Sequence, residues 1–245
     1  MKRNLLQATN LSRREMLGII GVTAAAPLVG CADEQSTSKV SAGTPACVVR
    51  PQQTEGPYFV DEKLNRTDIR TDPTDGQVYK GVPLRLALAV SRMAGNSCTP
   101  LRNALVDIWQ CDALGVYSGV RDINGLFDTK GKKFLRGYQV TDANGKVEFI
   151  TTYPGWYPGR TVHIHFKIRT DAAAGRGHEF TSQLYFDDAI TDQVFQQQPY
   201  DGKGQRTIRN NRDGIFRQGG NQLMLTLTKE TQGFAGTFDI GLQIG

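Results

Sequence analysis

The chain has 245 residues, a formal net charge of +5, 39% hydrophobic residues and four cysteines. Residues 1–30 hold four Lys/Arg and one Glu, so without them the remainder stands at +2 and gives no argument for nucleic acid. The length beyond that leader suffices for one domain of ordinary size, burying roughly 70% of its unfolded surface.

In chain order, "LSRREMLGIIGVTAAAPLVGC" opens with Arg13-Arg14 and runs through apolar, alanine-rich sequence to Cys31. A basic start before an apolar run of this length predicts an export signal over residues 1–30. Ser-Arg-Arg-Glu-Met-Leu resembles the twin-arginine type, and Leu-Val-Gly-Cys a lipobox whose Cys31 takes the lipid; an ordinary cleaved signal is the plain alternative. No second apolar run is long enough to cross a bilayer, so membrane association is expected only through that anchor. Residues 31–46 are polar and rich in Ser, Thr, Ala and Gly, the composition of a flexible tether. A single domain is expected over 47–245.

From Pro83 onward short alternating runs dominate. "PLRLALAVSR", "ALVDIWQC", "KVEFITT", "VHIHFKIR", "TSQLYFD", "QLMLTLTK" and "GTFDIGLQI" are separated by Gly, Asn and Asp clusters such as "DANGK". Tyr138 and Gln139 in "RGYQV" are read as strand residues, and only "ITDQVFQQQ" (190–198) suggests a turn or two of helix. The pattern predicts an all-β, two-sheet sandwich with long loops over 56–80 and 111–135 that carry something other than scaffold. Cys47 and Cys98 fall in Pro/Ser/Thr-rich sequence read as loop and are paired as a disulfide. Cys111 closes an apolar strand and is expected buried.

Two of the three histidines form His163-Ile164-His165. In a strand both imidazoles point one way and can reach one metal ion; a hydrogen-bonded surface pair is the plain alternative. The turn just upstream supplies Tyr157 and Arg160, and "DALGVYSG" supplies a second phenol, Tyr117. Imidazoles with phenolates suit iron(III), because hard phenolate oxygens offset much of its charge. His178 is read as a solvated loop residue, Trp109 and Trp156 as core and pocket wall. Tyr58 in "EGPYF" either lines a substrate mouth or staples its loop.

"TEGPYF", "VDIWQCDALGVYS", "FLRGYQVTDANGKVEFITTYPGWYPGRTVHIHFKI" and "SQLYFD", in that order, resemble the intradiol ring-cleavage dioxygenases, the group that includes protocatechuate 3,4-dioxygenase and catechol 1,2-dioxygenase. The likeness runs from about residue 47 to about 190. It implies iron(III) held by Tyr117, Tyr157, His163 and His165, with Arg160 and Gln183 beside it. It further implies that Tyr157 leaves the metal when a catechol binds, and that O2 opens the ring between its hydroxyl-bearing carbons to a muconate-type diacid. A lipoprotein that keeps the iron site but only captures catechols or siderophores is the alternative, and a zinc or copper hydrolase a second.

Overall fold

The computed structural model describes residues 48–95, 97–170 and 177–244. The expected signal (1–30), the tether (31–46), Cys31 and Cys47 all lie outside the described residues. In chain order the elements are β1 (Pro83–Ala94), β2 (Ser97–Pro100), β3 (Leu105–Trp109), β4 (Arg136–Val140), β5 (Lys146–Thr152), β6 (His163–Arg169), β7 (Glu179–Tyr185), α1 (Asp188–Val194), β8 (Thr226–Lys229) and β9 (Phe234–Gln243). No helix among the described residues is long and apolar enough to cross a membrane.

The strands form two sheets, the expected sandwich. One sheet has the order β2-β1-β9-β8, with β5 also on β1. The long β1 pairs with β5 through Pro83–Ala89 and with β2 through Ser91–Ala94, while β9 lies parallel along its other edge. The second sheet runs β4-β3-β6-β7, antiparallel throughout. On β1, Leu84, Leu86, Leu88 and Val90 are buried; Val106, Ile108, Ile164, Phe166 and Ile168 join them in one core from the opposite sheet. This is inward alternation of facing sheets.

The second sheet is buried on its other face as well. All residues of β6 from His163 to Ile168 are buried, so alternation alone does not describe this strand. His163 and His165 lie on the face opposite Ile164 and Phe166. That face is covered by a smaller aromatic cluster of Tyr58, Trp109, Cys111 and Tyr117, with Phe59, Phe127 and Tyr157 packed against it. Its residues come largely from the two long loops, which therefore roof the sheet.

Three local readings change. Cys98 sits on a strand, β2, and is disulfide-bonded to a residue outside the described ones; Cys111 is free and buried. The helix begins at Asp188, where the Asp187 carboxylate accepts from the amides of Ala189 and Ile190, and ends at Val194. In "QLMLTLTK" only Thr226–Lys229 is a strand, because Met224 bridges to Tyr185 at the edge of the other sheet before the chain crosses over.

Candidate functional site

The cross-strand register sets the first two side chains. Trp109, His165 and Gln183 are direct partners across β3, β6 and β7, and His163 pairs with Tyr185. The Trp109 indole stacks on His165 with ring centroids 4.9 Å apart and planes 6° from parallel, which fixes that imidazole. His163 is held differently: its Nδ1 lies 2.6 Å from the Thr161 carbonyl oxygen. A carbonyl can only accept, so the proton sits on Nδ1 and the lone pair on Nε2.

Two glycines bring the tyrosines together. The Asp112 carboxylate accepts from the amides of Leu114 and Val116 at 2.9 Å, closing a tight turn that aims Tyr117 inward. Gly115, at φ +80°, lies so close to the Trp156 carbonyl oxygen that a Cβ would sit 2.1 Å from it. A Cβ on Gly155 would sit 2.4 Å from the Ala113 oxygen. Only glycine lets the 112–116 turn and the Tyr157 loop approach this closely. The Cys111 thiol donates to the Gly155 carbonyl at 3.5 Å across the same contact.

The result is a convergence on one point. The Tyr157 hydroxyl and the His165 Nε2 each lie 3.1 Å from the His163 Nε2. The Tyr117 hydroxyl is fully buried and makes no hydrogen bond of ordinary geometry, with the Tyr157 hydroxyl as its polar neighbour. Its ring stands edge-on to Tyr157 with centroids 5.7 Å apart. A buried phenol without a well-formed hydrogen bond costs free energy that a cation at this focus would recover. Burial first, then the Arg160 guanidinium for His163 and the neighbouring His163 for His165, hold both imidazoles well below their usual range, so both are neutral ligands in waiting. Burial pushes the Tyr157 phenol up to about 12, against the pull of Arg160, and also raises Tyr117 well above its usual value. Two nitrogen lone pairs and two phenol oxygens, dry and converging, fit a hard trivalent metal ion.

Arg160 lies against this cluster. Its Nε donates to Asp213 Oδ2 at 2.8 Å and its Nη2 to Gln183 Oε1 at 2.5 Å, leaving Nη1 3.4 Å from the His163 Nε2. The Gln183 amide donates to the Thr54 carbonyl at 2.9 Å and its oxygen also accepts from the Tyr185 hydroxyl. Gln183 is thus fully engaged and positions Arg160. Above the cluster opens a cavity of about 540 Å³, lined by Tyr58, Leu114, Ile123, Leu126 and Phe127, with Tyr157 and Arg160 also in its wall. Of the four candidate ligands, Tyr157 alone lines it.

Known proteins share this arrangement of strands. The chain is similar to an intradiol ring-cleavage dioxygenase from Tetranychus urticae, at 32% identity over 80% of this chain and 95% of that one, with a TM-score of 0.68. A family model described as "Dioxygenase" (Dioxygenase_C) matches residues 54–213. The chain belongs to the intradiol dioxygenase family. A dioxygenase domain from Streptomyces sp. SirexAA-E, part of a fusion with a carbohydrate-binding protein, is 32% identical over 81% of this chain and all of that domain, with a TM-score of 0.57. The beta chain of protocatechuate 3,4-dioxygenase from Burkholderia cepacia is 34% identical over 139 residues, 53% of this chain and 56% of that one. The chain spans about half the length of the curated relatives it matches.

Within this intradiol dioxygenase fold, four residues carry weight that the sequence did not announce. Asp213, fully buried, accepts from Arg160 and from the amides of Thr161, Ile215 and Phe216. Arg136 is buried beside Tyr117, donating to the Ser118 hydroxyl and to the Tyr58 and Ser118 carbonyls, and burial pulls it down to about 10. Asp122 accepts from the Tyr58 hydroxyl, so Tyr58 both lines the cavity and staples its loop. Lys167 pairs with Glu55 and Glu179. Asp213 and Asp122 read in sequence as ordinary turn residues beside Gly214 and Asn124-Gly125. His178 is half-buried near the start of β7, and its amide donates to the Thr170 hydroxyl at 2.8 Å.

Proposed function

We propose that the chain is an iron(III) dioxygenase that opens a catecholic ring between its two hydroxyl-bearing carbons, consuming O2 and releasing a muconate-type diacid. The observation that carries this reading is the convergence of Tyr157, His163 and His165 on one point beside the buried Tyr117 hydroxyl, at the foot of a cavity that admits an aromatic ring. Tyr117, Tyr157, His163 and His165 would hold the metal. When bound, iron(III) would supply a redox-active Lewis acid that draws electron density from the catechol and readies its ring for O2.

The chain's own residues do the rest. A catechol entering from the cavity meets Tyr157 first, the one ligand in the cavity wall. Burial makes the free Tyr157 phenolate basic enough to take one of the two catechol protons and hold it on its hydroxyl, while the other passes to solvent hydroxide. Arg160, always charged, faces the ring dianion without proton transfer. Asp213 and Gln183 grip its Nε and Nη2, so the guanidinium is already oriented when negative charge develops. Tyr58 and Phe127, in the cavity wall, and the packed Phe59 limit water at the reacting end.

The wider reading is an exported protein. Residues 1–30 direct export, Cys31 takes a lipid and residues 31–46 form the tether, which places the catecholic substrate outside the cytoplasm. A twin-arginine route suits it, because folding first permits metal loading inside the cell.

Iron binding tests the site. The iron-loaded protein should be red-brown from phenolate-to-iron charge transfer, and Tyr117→Phe should shift or bleach that band. A colourless, iron-replete protein contradicts the two-tyrosine assignment.

A further inference from the structure

The cavity above Tyr157 is larger than one catechol ring needs. Its volume of about 540 Å³ lies in the range that encloses a drug-sized ligand. Tyr157 and Arg160 form its inner end. Ile123 and Leu126 line it too, yet are 73% and 68% exposed, so they stand at its mouth.

These two side chains are held in place. They sit on a hairpin closed by the Arg121–Asp128 bridge. One Asp122 oxygen accepts from the amides of Asn124 and Leu126 at 2.9 and 3.1 Å, and the other takes the Tyr58 hydroxyl. The hairpin tip is thereby tied to the roof of the site. Two large aliphatic side chains fixed in water at a cavity mouth are covered favourably by an apolar group.

Charge in the cavity wall does not oppose this. Of the two cations lining the cavity, Arg160 is engaged by Asp213 and Gln183. Lys203 turns its ammonium to the Leu114 carbonyl and lies 5.0 Å from the Trp156 ring centroid. The same wall carries the Asp122 carboxylate. Lys203 has no carboxylate partner and both Asp122 oxygens are already engaged, so charge in this wall neither recruits nor excludes a ring carboxylate, and the apolar mouth decides.

We infer that the substrate is a catechol bearing an apolar alkyl or aryl substituent, which projects from the reacting end onto Ile123 and Leu126. This rests on the ring-cleavage reading and names its substrate class.

The test is anaerobic calorimetry on the iron-loaded protein with catechol, 4-tert-butylcatechol and 3,4-dihydroxybenzoate. 4-tert-Butylcatechol should bind about tenfold or more tighter than catechol, as burial of its extra carbons implies. Ile123→Ser/Leu126→Ser, changing exposed positions, should cut that ratio at least about threefold. A ratio near unity, a ratio the double variant leaves unchanged, or tightest binding of 3,4-dihydroxybenzoate overturns the inference. Admitting O2 separates it from the reading beneath. The expected preference without O2 uptake sinks ring cleavage alone. Ring opening with no preference sinks the substituent alone, and no binding of any of the three overturns both.

Discussion

Arg160 precedes His163 by three residues, and the turn between them folds its guanidinium back to 3.4 Å from the His163 Nε2. Arg160→Ala should lower turnover by roughly two or more orders of magnitude, as loss of one transition-state charge partner does. Iron content and colour should persist, because Asp213 keeps three amide donors after the guanidinium is gone. Arg160→Lys should recover part of the rate, since a point charge lacks the planar fork. Near-normal turnover in the alanine variant places Arg160 outside the chemistry. Removing the other partner behaves differently. Asp213→Asn leaves a largely buried guanidinium without its counter-charge and should cost about 3 kcal/mol or more of stability. Burial pushes the Asp213 carboxyl up, but Arg160 and the amides outweigh it and hold it below the usual carboxylate range. A depressed native pKa means that the unfolded state binds the proton first on acidification. The stability due to Asp213 is present above its unfolded value, roughly 4, and lost as pH falls through the lower native value. Denaturant midpoints of wild type and variant should therefore differ most near neutrality and converge below about pH 4; a gap that is constant with pH contradicts the ionised pair. Tyr157, Arg160, His163 and His165 were legible because one short stretch holds them all. Asp213 was not, since it lies 53 residues further on from Arg160 and reaches it only through tertiary folding.

At the scale of elements, β6 joins the core to the site. Period-two alternation in "VHIHFKIR" put the two histidines on one face, and the structure agrees. The same face continues through Lys167 and Arg169, whose charges the sequence would have left in water. Lys167 is instead buried, with Glu55 and Glu179 on its ammonium and the Phe59 ring 4.2 Å from it. Arg169 takes Asp61 and Asp107 at 3.1 and 2.7 Å. Glu55, Phe59 and Asp61 belong to the loop carrying Tyr58, so the strand clamps its own roof. Strand propensity says nothing about which loop covers a face, and this contact could not be read from local pattern. Lys167→Met keeps the stem and removes the charge. Its global stability should stay within about 1 kcal/mol, because the carboxylates left behind are well exposed and a buried ion pair offers little net stability. Amide exchange over residues 54–61 should rise about tenfold, and KM for a catechol should rise with it. Unchanged exchange there would show that the loop is held by its aromatic packing alone.

For the whole molecule, alternation and turn spacing made the sandwich legible, because each sheet face is specified by residues two apart. The crossing between sheets was not, since Leu223–Leu225 keeps the apolar alternation while Met224 bridges to β7. The disulfide ties the domain to sequence outside the described residues. Mass mapping under non-reducing conditions should link Cys98 to Cys47, closing about fifty residues and contributing roughly 2–4 kcal/mol. A Cys31–Cys98 link would remove the lipid anchor from the account, and Cys31→Ser should release the protein from membranes with activity intact. The central claim is ring opening by O2, and it is tested most directly by giving the iron-loaded protein a catechol under ¹⁸O2 while following oxygen uptake and product mass. The account predicts one O2 consumed per ring opened and a diacid carrying both labelled atoms. Bound but unchanged catechol with no oxygen uptake, or an unlabelled quinone, would contradict it.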